Sequence, residues 1–410
     1  MKKLAVHLST DPDQRRLVGE LAESGRKIYF EYAPEFLNDP LWLSPFKLPP
    51  EPGLHEHRDL TFGSLFGLFD DSLPDGWGLL LMDRYFRKQG IAPETLSPLD
   101  RLAYMGARTM GALTYHPPAQ TDDEQNTALN LHKLAGDAYR VLEGTTTEIL
   151  PQLRIAGGSP GGARPKVLIG LKDDSMISGA DTLPEGYTGW IVKFPSKQDD
   201  VEDGRIEYAY SNMAKAAGLH MPATRLFTTP AGDAFFGAER FDRQENRRFH
   251  VQTFGNLIHS NFRIPGCDYD QLMKITRVLT KNQTDVNAAF RLMVFNILAH
   301  NRDDHVKNFS FMLNERNEWR LTPAYDLTFT HGPGGEHTMT VAGEGQAPGR
   351  AHILRIAEGA GVSKKQAVEI IDEVASALSE WHRFAEEAGV SKKTAMEIDS
   401  NQISACIYRA

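Results

Sequence analysis

The segment His300–Leu313, HNRDDHVKNFSFML, carries most of the information about the fold of this chain. It follows a long helical pattern in which Val286, Phe290, Met293 and Ile297 share one face, with Thr284 as the expected N-cap. Within the segment, an aspartate at position 303 precedes an asparagine at position 308 by five residues. A carboxylate can orient a hydroxyl group and accept its proton, and a neutral amide oxygen can hold magnesium. The spacing therefore indicates a loop suited to phosphoryl transfer.

A second acid follows in the segment LTPAYDLTF. The runs NFSFML and WRLTPAYDL, separated by NERNE, predict a β-hairpin that returns Asp326 towards the preceding loop. Protein kinases use the same D-x-x-x-x-N spacing and place their second magnesium ligand after such a hairpin. Here the acid is retained in Tyr325-Asp326-Leu327, whereas the glycine of the kinase motif is not. Asp303 is thus the candidate general base, and Asn308 and Asp326 are the candidate magnesium ligands.

A lysine on a predicted strand lies further upstream. In TGWIVKFP, residues 188–195, bulky apolar side chains alternate to one face, while Ile191 and Lys193 share the other. Kinases hold the nucleotide phosphates with a lysine in this context and pair it with a glutamate from the next helix. The helix predicted from Glu207 to Ala217 makes Glu207 the candidate partner.

The glycine-rich segment Gly157–Lys166 could place backbone N–H groups against phosphates. It matches neither G-x-x-x-x-G-K-[ST] nor G-x-G-x-x-G, so by itself it is weak evidence. The order of the signals is more informative than any one of them. A glycine-rich loop, a strand lysine, a helix glutamate, D-x-x-x-x-N, a hairpin and an aspartate follow each other as they do in kinases.

Three regions are expected along the chain: an N-terminal unit over residues 1–118, a β-rich region over 131–248 and a helical region over 249–410. In the first unit, Gly76–Lys88 is predicted to be a helix. The acids of the preceding LFDDSLPDGWG fit no calcium motif and are interpreted as a turn and a helix cap. The repeated GVSKK segments in the last region are interpreted as helix ends followed by serine caps.

The composition is that of a globular protein, with 41% hydrophobic and 24% charged residues. A net charge of −9 disfavours nucleic-acid binding over the whole surface, because phosphate contacts need clustered Lys and Arg. The two cysteines, Cys267 and Cys406, cannot form a disulfide framework and are typical of the reducing cytoplasm. Neither a signal peptide nor a membrane-spanning stretch is predicted.

Taken together, these motifs resemble the HipA family of toxin serine/threonine kinases over nearly the full length. The N-terminal unit resembles the family in GRKIYFEYAPEFL, LFGLFDDSLPDGWG and LDRLAYMGARTMGAL, and the rest resembles it in SPGGARPK, WIVKFP, AERFDR, DDHVKNFSF and PAYDL. The resemblance implies an α+β, two-lobed protein-kinase-like fold with an extra N-terminal subdomain, a β-rich N-terminal lobe and an all-helical C-terminal lobe. It also implies ATP and Mg²⁺ as cofactors.

Carried over residue by residue, the resemblance makes Asp303 the catalytic residue and Asn308 and Asp326 the magnesium ligands. The residues implied to contact ATP are Gly161, Gly162, Ala163, Arg164, Pro165, Lys166, Lys193, Glu239, Arg240, Phe241, His305, Lys307, Asn308, Tyr325 and Asp326. Ser159 matches the serine that family members autophosphorylate, which ejects the phosphate loop. The loop departs from the common A-G-A-Q-E-K form, since it reads GGARPK here and its proline lacks a backbone donor.

The resemblance further implies a HipB-like helix-turn-helix antitoxin as partner, with DNA bound mainly through that antitoxin. The acidic composition agrees with this division of roles. A protein substrate is implied, such as an aminoacyl-tRNA synthetase, in the cytoplasm and not at a membrane.

Three other functions remain open. A small-molecule phosphotransferase, like the aminoglycoside or choline kinases, shares the fold and the Asp–Asn–Asp set but has no need of the N-terminal unit. A catalytically dead scaffold with the kinase shape is disfavoured, because the candidate catalytic residues are retained together. A metallohydrolase is suggested by His300 and His305, which flank two aspartates, but their spacing does not place them on one helix face.

Overall fold

The computed structural model describes residues 1–119, 128–146, 153, 162–179, 182–196, 201–230 and 232–402. Within these ranges the chain has the expected α+β architecture, with a sheet in each of the three regions. No helix in the described ranges combines the length and the apolar character that crossing a membrane requires.

The N-terminal unit is built on an antiparallel five-stranded sheet in the order β4-β3-β2-β1-β5. Its strands are β1 (Lys2–Asp11), β2 (Gln14–Ser24), β3 (Lys27–Tyr32), β4 (Leu54–Glu56) and β5 (Leu113–His116), and its helices are α1 (Pro34–Leu37), α2 (Gly67–Asp70), α3 (Gly76–Lys88) and α4 (Pro98–Met105). Helix α3 has the predicted bounds, and Asp75 caps it by accepting from the Gly76 amide at 3.3 Å. The capping interpretation of that acid is therefore confirmed.

A second antiparallel sheet, in the order β7-β6-β8-β10-β9, forms the central region. It consists of β6 (Lys166–Lys172), β7 (Ser175–Ser178), β8 (Thr188–Lys193), β9 (Thr224–Thr228) and β10 (Ala234–Glu239), with helices α5 (Leu131–Glu143) and α6 (Asp203–Ala216). Helix α6 begins at Asp203, four residues before the predicted start at Glu207. Its first turn is polar, so apolar periodicity gave no sign of it. A short hairpin, β11 (Arg243–Gln244) and β12 (Arg247–Arg248), follows the sheet.

The C-terminal region is mostly helical, with α7 (Phe254–Ile258), α8 (Tyr269–Thr280), α9 (Gln283–Leu298), α10 (Arg350–Gly359), α11 (Lys364–Leu378), α12 (Trp381–Ala388) and α13 (Lys392–Asn401). It is not all-helical, because the predicted hairpin, β14 (Ser310–Leu313) and β15 (Trp319–Leu321), pairs with β13 (Val251–Thr253) in a three-stranded sheet. The N-cap of α9 is Asn282 and not Thr284, whose amide donates to the Asn282 side chain at 2.8 Å. Ser363 and Ser391 cap α11 and α13, as the repeated segments predicted.

Side-chain packing crosses the expected region boundaries. Trp77 and Leu81 of α3 belong to the same buried cluster as Val167 of β6 and Val192 of β8. The Trp77 indole N–H also donates to the Lys166 carbonyl at 3.0 Å. The N-terminal unit is thus fastened to the central sheet at the strand that carries the end of the glycine-rich segment, and it lies within reach of the cleft beside that strand.

Candidate active site

A cavity of about 520 Å³ lies between the central sheet and the C-terminal region, a volume typical of small-molecule sites. Its lining includes most of the predicted site residues: Gly162, Ala163, Lys166, Lys193, Glu239, Arg240, Phe241, Asp303, His305, Lys307, Asn308, Tyr325 and Asp326. Arg164, Pro165 and Glu207 are not among the lining residues. Ser159 and Gly161 lie outside the described residues.

Lys193 lies in the cavity, where two carboxylates contact its ammonium group. The alternation of β8 buries Trp190 and Val192 on one face and turns the ammonium group of Lys193 to the other. This group forms an ion pair with Glu207, which is buried one turn into α6, and lies 2.5 Å from Asp326 Oδ1. Burial disfavours the charged amine, but the two carboxylates outweigh it and raise the pKa of Lys193. The predicted lysine–glutamate pair is therefore present.

Asp326 adopts a backbone conformation that few residues other than glycine tolerate. Its φ is 57°, in the left-handed region, where Asp and Asn are favoured over other side chains. The ammonium group of Lys193 lowers the pKa of Asp326 more than burial raises it, so this carboxylate stays ionised. Such local strain is concentrated at functional sites, where the surrounding structure holds it in place.

The loop after α9 presents Asp303 and Asn308 to the same cavity. The Asn308 amide N–H donates to the backbone carbonyl of Asp303 at 2.7 Å, so the amide oxygen is the atom that remains for a cation. Asp303 is exposed to the cleft. The protein around it still limits its hydration and raises its pKa; His305 opposes this shift and Asp326 adds to it. A carboxyl group with increased proton affinity suits a general base.

Asp304, next in the chain, has a structural role. It is buried and accepts hydrogen bonds from the Tyr269 hydroxyl at 2.7 Å and the Thr338 amide at 2.8 Å. The oxygen that accepts from Tyr269, Oδ2, also lies 2.8 Å from His337 Nδ1. These contacts tie the loop to α8 and to the segment before α10, and they fix the direction in which Asp303 points.

The connection between the two lobes forms the opposite wall. The amides of Glu239 and Arg240 donate to the carbonyls of Ala223 and Gly189, each at 2.8 Å, which fixes the peptide planes of this hinge segment. The Arg240 side chain turns to the buried Asp242 instead of the cavity centre. Phe241 faces Tyr325 with 5.7 Å between ring centres. Tyr325 is itself held, since its hydroxyl donates to the Lys307 carbonyl at 2.7 Å.

The described end of the glycine-rich loop contributes two further cations. Lys166 is buried at the start of β6, and burial together with the charge of Lys193 lowers its pKa to about 8. Arg164 is not among the residues that line the cavity, and it pairs with Asp203 on α6 at 3.0 Å. The proline of the loop is buried, and its carbonyl accepts from the Phe194 amide at 2.8 Å.

These residues fit a magnesium-bound nucleoside triphosphate. Asp326 and Asn308 offer a carboxylate and an amide oxygen, the hard oxygen ligands that magnesium prefers. Among the described residues, no group of three or more His, Cys, Asp or Glu side chains could hold a metal alone. Such a two-ligand set is completed by phosphate oxygens and water in nucleotide sites. Lys193 and Lys166 add positive charge for the phosphates.

Two groups of residues stand out among the parts of the lining that sequence reasoning missed. One comes from the N-terminal unit and comprises Asp71, Leu73, Asp75, Gly76 and Met110, and the other is the pair Phe262 and Arg263 after α7. The acids of LFDDSLPDGWG have no metal-binding spacing, so the sequence predicts only a turn and a helix cap for them. Both segments reach the cavity by long-range packing, which no local pattern encodes.

The fold and the site together define a two-lobed protein of the protein-kinase-like class. Two family models match the sequence, the HipA N-terminal domain over residues 13–116 and the HipA-like C-terminal domain over residues 158–381. The chain belongs to the HipA family.

Individual relatives agree with this placement. The chain is 29% identical over 176 residues to a putative kinase, Y4dM, of Sinorhizobium fredii, a match of 39% of this chain and 42% of that protein. It is 25% identical over 186 residues to a putative kinase of Haemophilus influenzae, a match of 42% of this chain and 52% of that protein. The matches thus span about half the length of these curated relatives.

A solved structure is similar in fold over almost the whole chain. It is HipA of Shewanella oneidensis MR-1, in a complex with HipB and operator DNA. The TM-score is 0.70 at 16% identity, with 97% of this chain and 94% of that chain covered. At this identity the similarity shows the fold, and the predicted HipA-like, two-lobed architecture is confirmed.

Proposed function

We propose that the protein is an ATP- and magnesium-dependent serine/threonine protein kinase that acts in the cytoplasm as the toxin of a toxin–antitoxin pair. The observation that carries the proposal is the convergence of Asp303, Asn308, Asp326 and Lys193 on one cavity. Lys193 pairs with Glu207, as the phosphate lysine of a kinase does with its helix glutamate, and it also contacts Asp326. Family membership and two relatives named putative kinases support it.

In this proposal each group has a defined task. Lys193 and Lys166 hold the phosphates, and the hinge Glu239–Phe241 holds the adenine. A magnesium ion bound by Asn308 and Asp326 would offset the phosphate charge. Asp303 accepts the proton of a serine or threonine hydroxyl group of the substrate while that hydroxyl oxygen forms a bond to the γ-phosphorus of ATP. The bond from that phosphorus to the bridging oxygen breaks, and ADP leaves with the electron pair.

The experiment that tests the proposal is incubation of the purified protein with γ-labelled ATP and a bacterial lysate. Mass spectrometry then identifies the labelled protein and the phosphorylated residue, with Asp303→Asn as the inactive control. We expect label on a serine or threonine of a translation component such as an aminoacyl-tRNA synthetase. Label that appears only on small molecules would favour an aminoglycoside- or choline-kinase-like enzyme. Binding of ATP without any transfer would favour a catalytically dead scaffold.

The proposal extends to autophosphorylation at Ser159, which adjoins the phosphate loop. A phosphate there would add about two negative charges at neutral pH and repel those of ATP. We expect Ser159→Asp to bind ATP weakly and to be harmless when expressed in bacteria. Tight ATP binding by this variant, with no phosphate on wild-type Ser159 after incubation with ATP, would contradict self-silencing.

The proposed partner is a helix-turn-helix antitoxin, because the Shewanella protein of the same fold was solved with HipB and operator DNA. In a comparable complex, the antitoxin would make most of the DNA contacts of this acidic chain. Co-expression with a short helix-turn-helix reading frame from the same locus should restore growth and allow co-purification. Continued growth arrest in the presence of that protein would contradict the assignment.

A further inference from the structure

The segment Asp70–Trp77 of the N-terminal unit connects both lobes across the cleft. On the side of the C-terminal region, the Asp71 carboxylate accepts from the Thr253 amide at 2.8 Å and from its hydroxyl at 2.9 Å. Asp75 pairs with Arg263 at 2.8 Å. These contacts place three acids of one turn, Asp70 among them, against the region that carries the catalytic loop.

On the side of the central sheet, the same segment contacts the phosphate loop. The Trp77 amide donates to the Gly162 carbonyl at 3.3 Å, and its indole donates to Lys166. The backbones approach so closely that a Cβ at Gly76 would lie 2.6 Å from the Ala163 Cα. Only glycine permits this contact, and its φ of 35° would strain any other residue as well.

The acids of this segment surround the ammonium group of Lys307 in the catalytic loop. Its ammonium group lies 3.3 Å from Asp70 Oδ2, 3.8 Å from Asp75 Oδ2 and 4.8 Å from the centre of the Phe262 ring. The Lys307 side chain is only 17% exposed, so the carboxylates of the N-terminal unit face a largely buried ammonium group. Lys307 also lines the cavity, one residue before Asn308.

We propose that Asp70 and Asp75 are positioning residues, which hold the Lys307 ammonium group towards the transferred phosphate and so make the N-terminal unit part of the active site. The inference rests on the proposed kinase function. A lysine side chain has four rotatable carbon–carbon bonds and reaches a fixed position only when partners hold it. Here those partners come from a different region of the chain. The segment otherwise interpreted as a turn and a cap thereby gains a role in the reaction.

The test compares Asp70→Asn and Asp75→Asn with Asp83→Asn in the full-length protein. Asp83 is a matched control, because it also belongs to the N-terminal unit, pairs with an arginine at 2.8 Å and has 25% exposure against 26% for Asp70. We expect the first two variants to lower kcat roughly ten- to a hundredfold with little change in KM for ATP. The Asp83→Asn variant should keep the wild-type kcat. Asp70→Glu, which keeps the carboxylate, should recover most of the activity even if Asp70→Asn folds poorly.

A double-mutant cycle separates positioning from a general loss of structure. In a Lys307→Met background, Asp70→Asn should cause no further loss of kcat, whereas two independent defects would multiply. If the two defects multiply, or if Asp70→Asn leaves kcat unchanged while the wild-type enzyme is active, the positioning role is wrong. The proposed kinase function would not be affected by either result. A wild-type protein that binds ATP but transfers no phosphate would overturn the proposed function, and this inference with it.

Discussion

Asp303 and Asp304 are adjacent in the chain but have opposite surroundings. The first is exposed to the cleft and makes no structural contact as extensive as that of its neighbour, which is buried among donors from two segments. At the scale of single residues, this contrast allows the chemistry and the stability of the loop to be tested separately. The same reasoning applies to Lys166 and Lys193, the two lysines that line the cavity and are proposed to hold the phosphates.

We expect Asp303→Ala to lower phosphoryl transfer by roughly 10²–10⁴-fold, because a general base is lost, and to leave the folded state intact. Asp304→Ala should instead lower the free energy of unfolding by about 2–4 kcal/mol, because buried donors lose a charged acceptor. Kinase assays and denaturant unfolding of both variants check this. Transfer at the wild-type rate in Asp303→Ala would show that the residue is wrongly assigned.

The lowered pKa of Lys166 predicts a pH dependence of nucleotide binding. Its value of about 8 means that the amine is charged at neutral pH and becomes neutral as the pH rises above 8. ATP binds the charged form, so its dissociation constant should increase roughly eightfold between pH 7.5 and 9. Lys193, whose pKa is raised, keeps its charge over this range. Calorimetric titration across the range, with Lys166→Met as a pH-independent control, tests the expectation.

Asp326→Asn is expected to weaken magnesium-dependent ATP binding more than it changes stability. The substitution removes the charge but suits the left-handed backbone, since Asn tolerates positive φ. Titration with ATP in the presence and absence of Mg²⁺ measures the effect. Unchanged affinity together with unchanged metal dependence would contradict the role of this residue as a ligand.

At the scale of elements, helix α6 carries two acids on one face, and each pairs with a cation of the central region. Asp203 and Glu207 are four residues apart, so they lie one above the other. The first pairs with Arg164 of the phosphate loop and the second with Lys193 of β8. The position of α6 thus fixes the position of Arg164 in the loop and that of Lys193 on the strand.

The ion pair between Arg164 of the loop and Asp203 of α6 predicts that exchanging the two charges should restore ATP binding. We expect Asp203→Asn to raise the KM for ATP several-fold with a smaller effect on kcat, because a partly buried ion pair that orders the loop contributes about 1 kcal/mol. The double variant Arg164→Asp with Asp203→Arg should recover part of that loss. Asp174→Asn is a control, since it removes a similar ion pair with Arg225 at an exposed position. Equal effects of both Asn variants would refute a specific link.

Elements whose signals are local were predictable from the sequence. Helix α3, the hairpin β14–β15 and the alternation that orients Lys193 follow from periodicity and turn residues. The strand β13 was not predicted, because a three-residue strand carries no pattern and gains its partner only through β14. Within the site, the sequence predicts the residues that lie in or next to recognisable motifs. The contribution of Asp71, Asp75 and Phe262 depends on which loops meet in space, and no local pattern of the chain encodes that.

At the scale of the whole molecule, a nucleotide that bridges the two lobes should stabilise them together. ATP at 100 times its dissociation constant should add about 2.7 kcal/mol to the free energy of unfolding. For a chain of 410 residues this corresponds to an increase in Tm of about 3 °C. Thermal unfolding with and without Mg-ATP tests this, and Asp326→Asn should show a much smaller shift. An equal shift in that variant would show that the nucleotide binds elsewhere.

The double attachment of the lobes has a mechanical consequence. The segment Asp70–Trp77 is held to the C-terminal region by the hydrogen bonds of Asp71 with Thr253, and to the central region by those of Trp77 with Gly162 and Lys166. Because it is held at both ends, any change in the width of the cleft would place a load on the hydrogen bonds at one end of this segment.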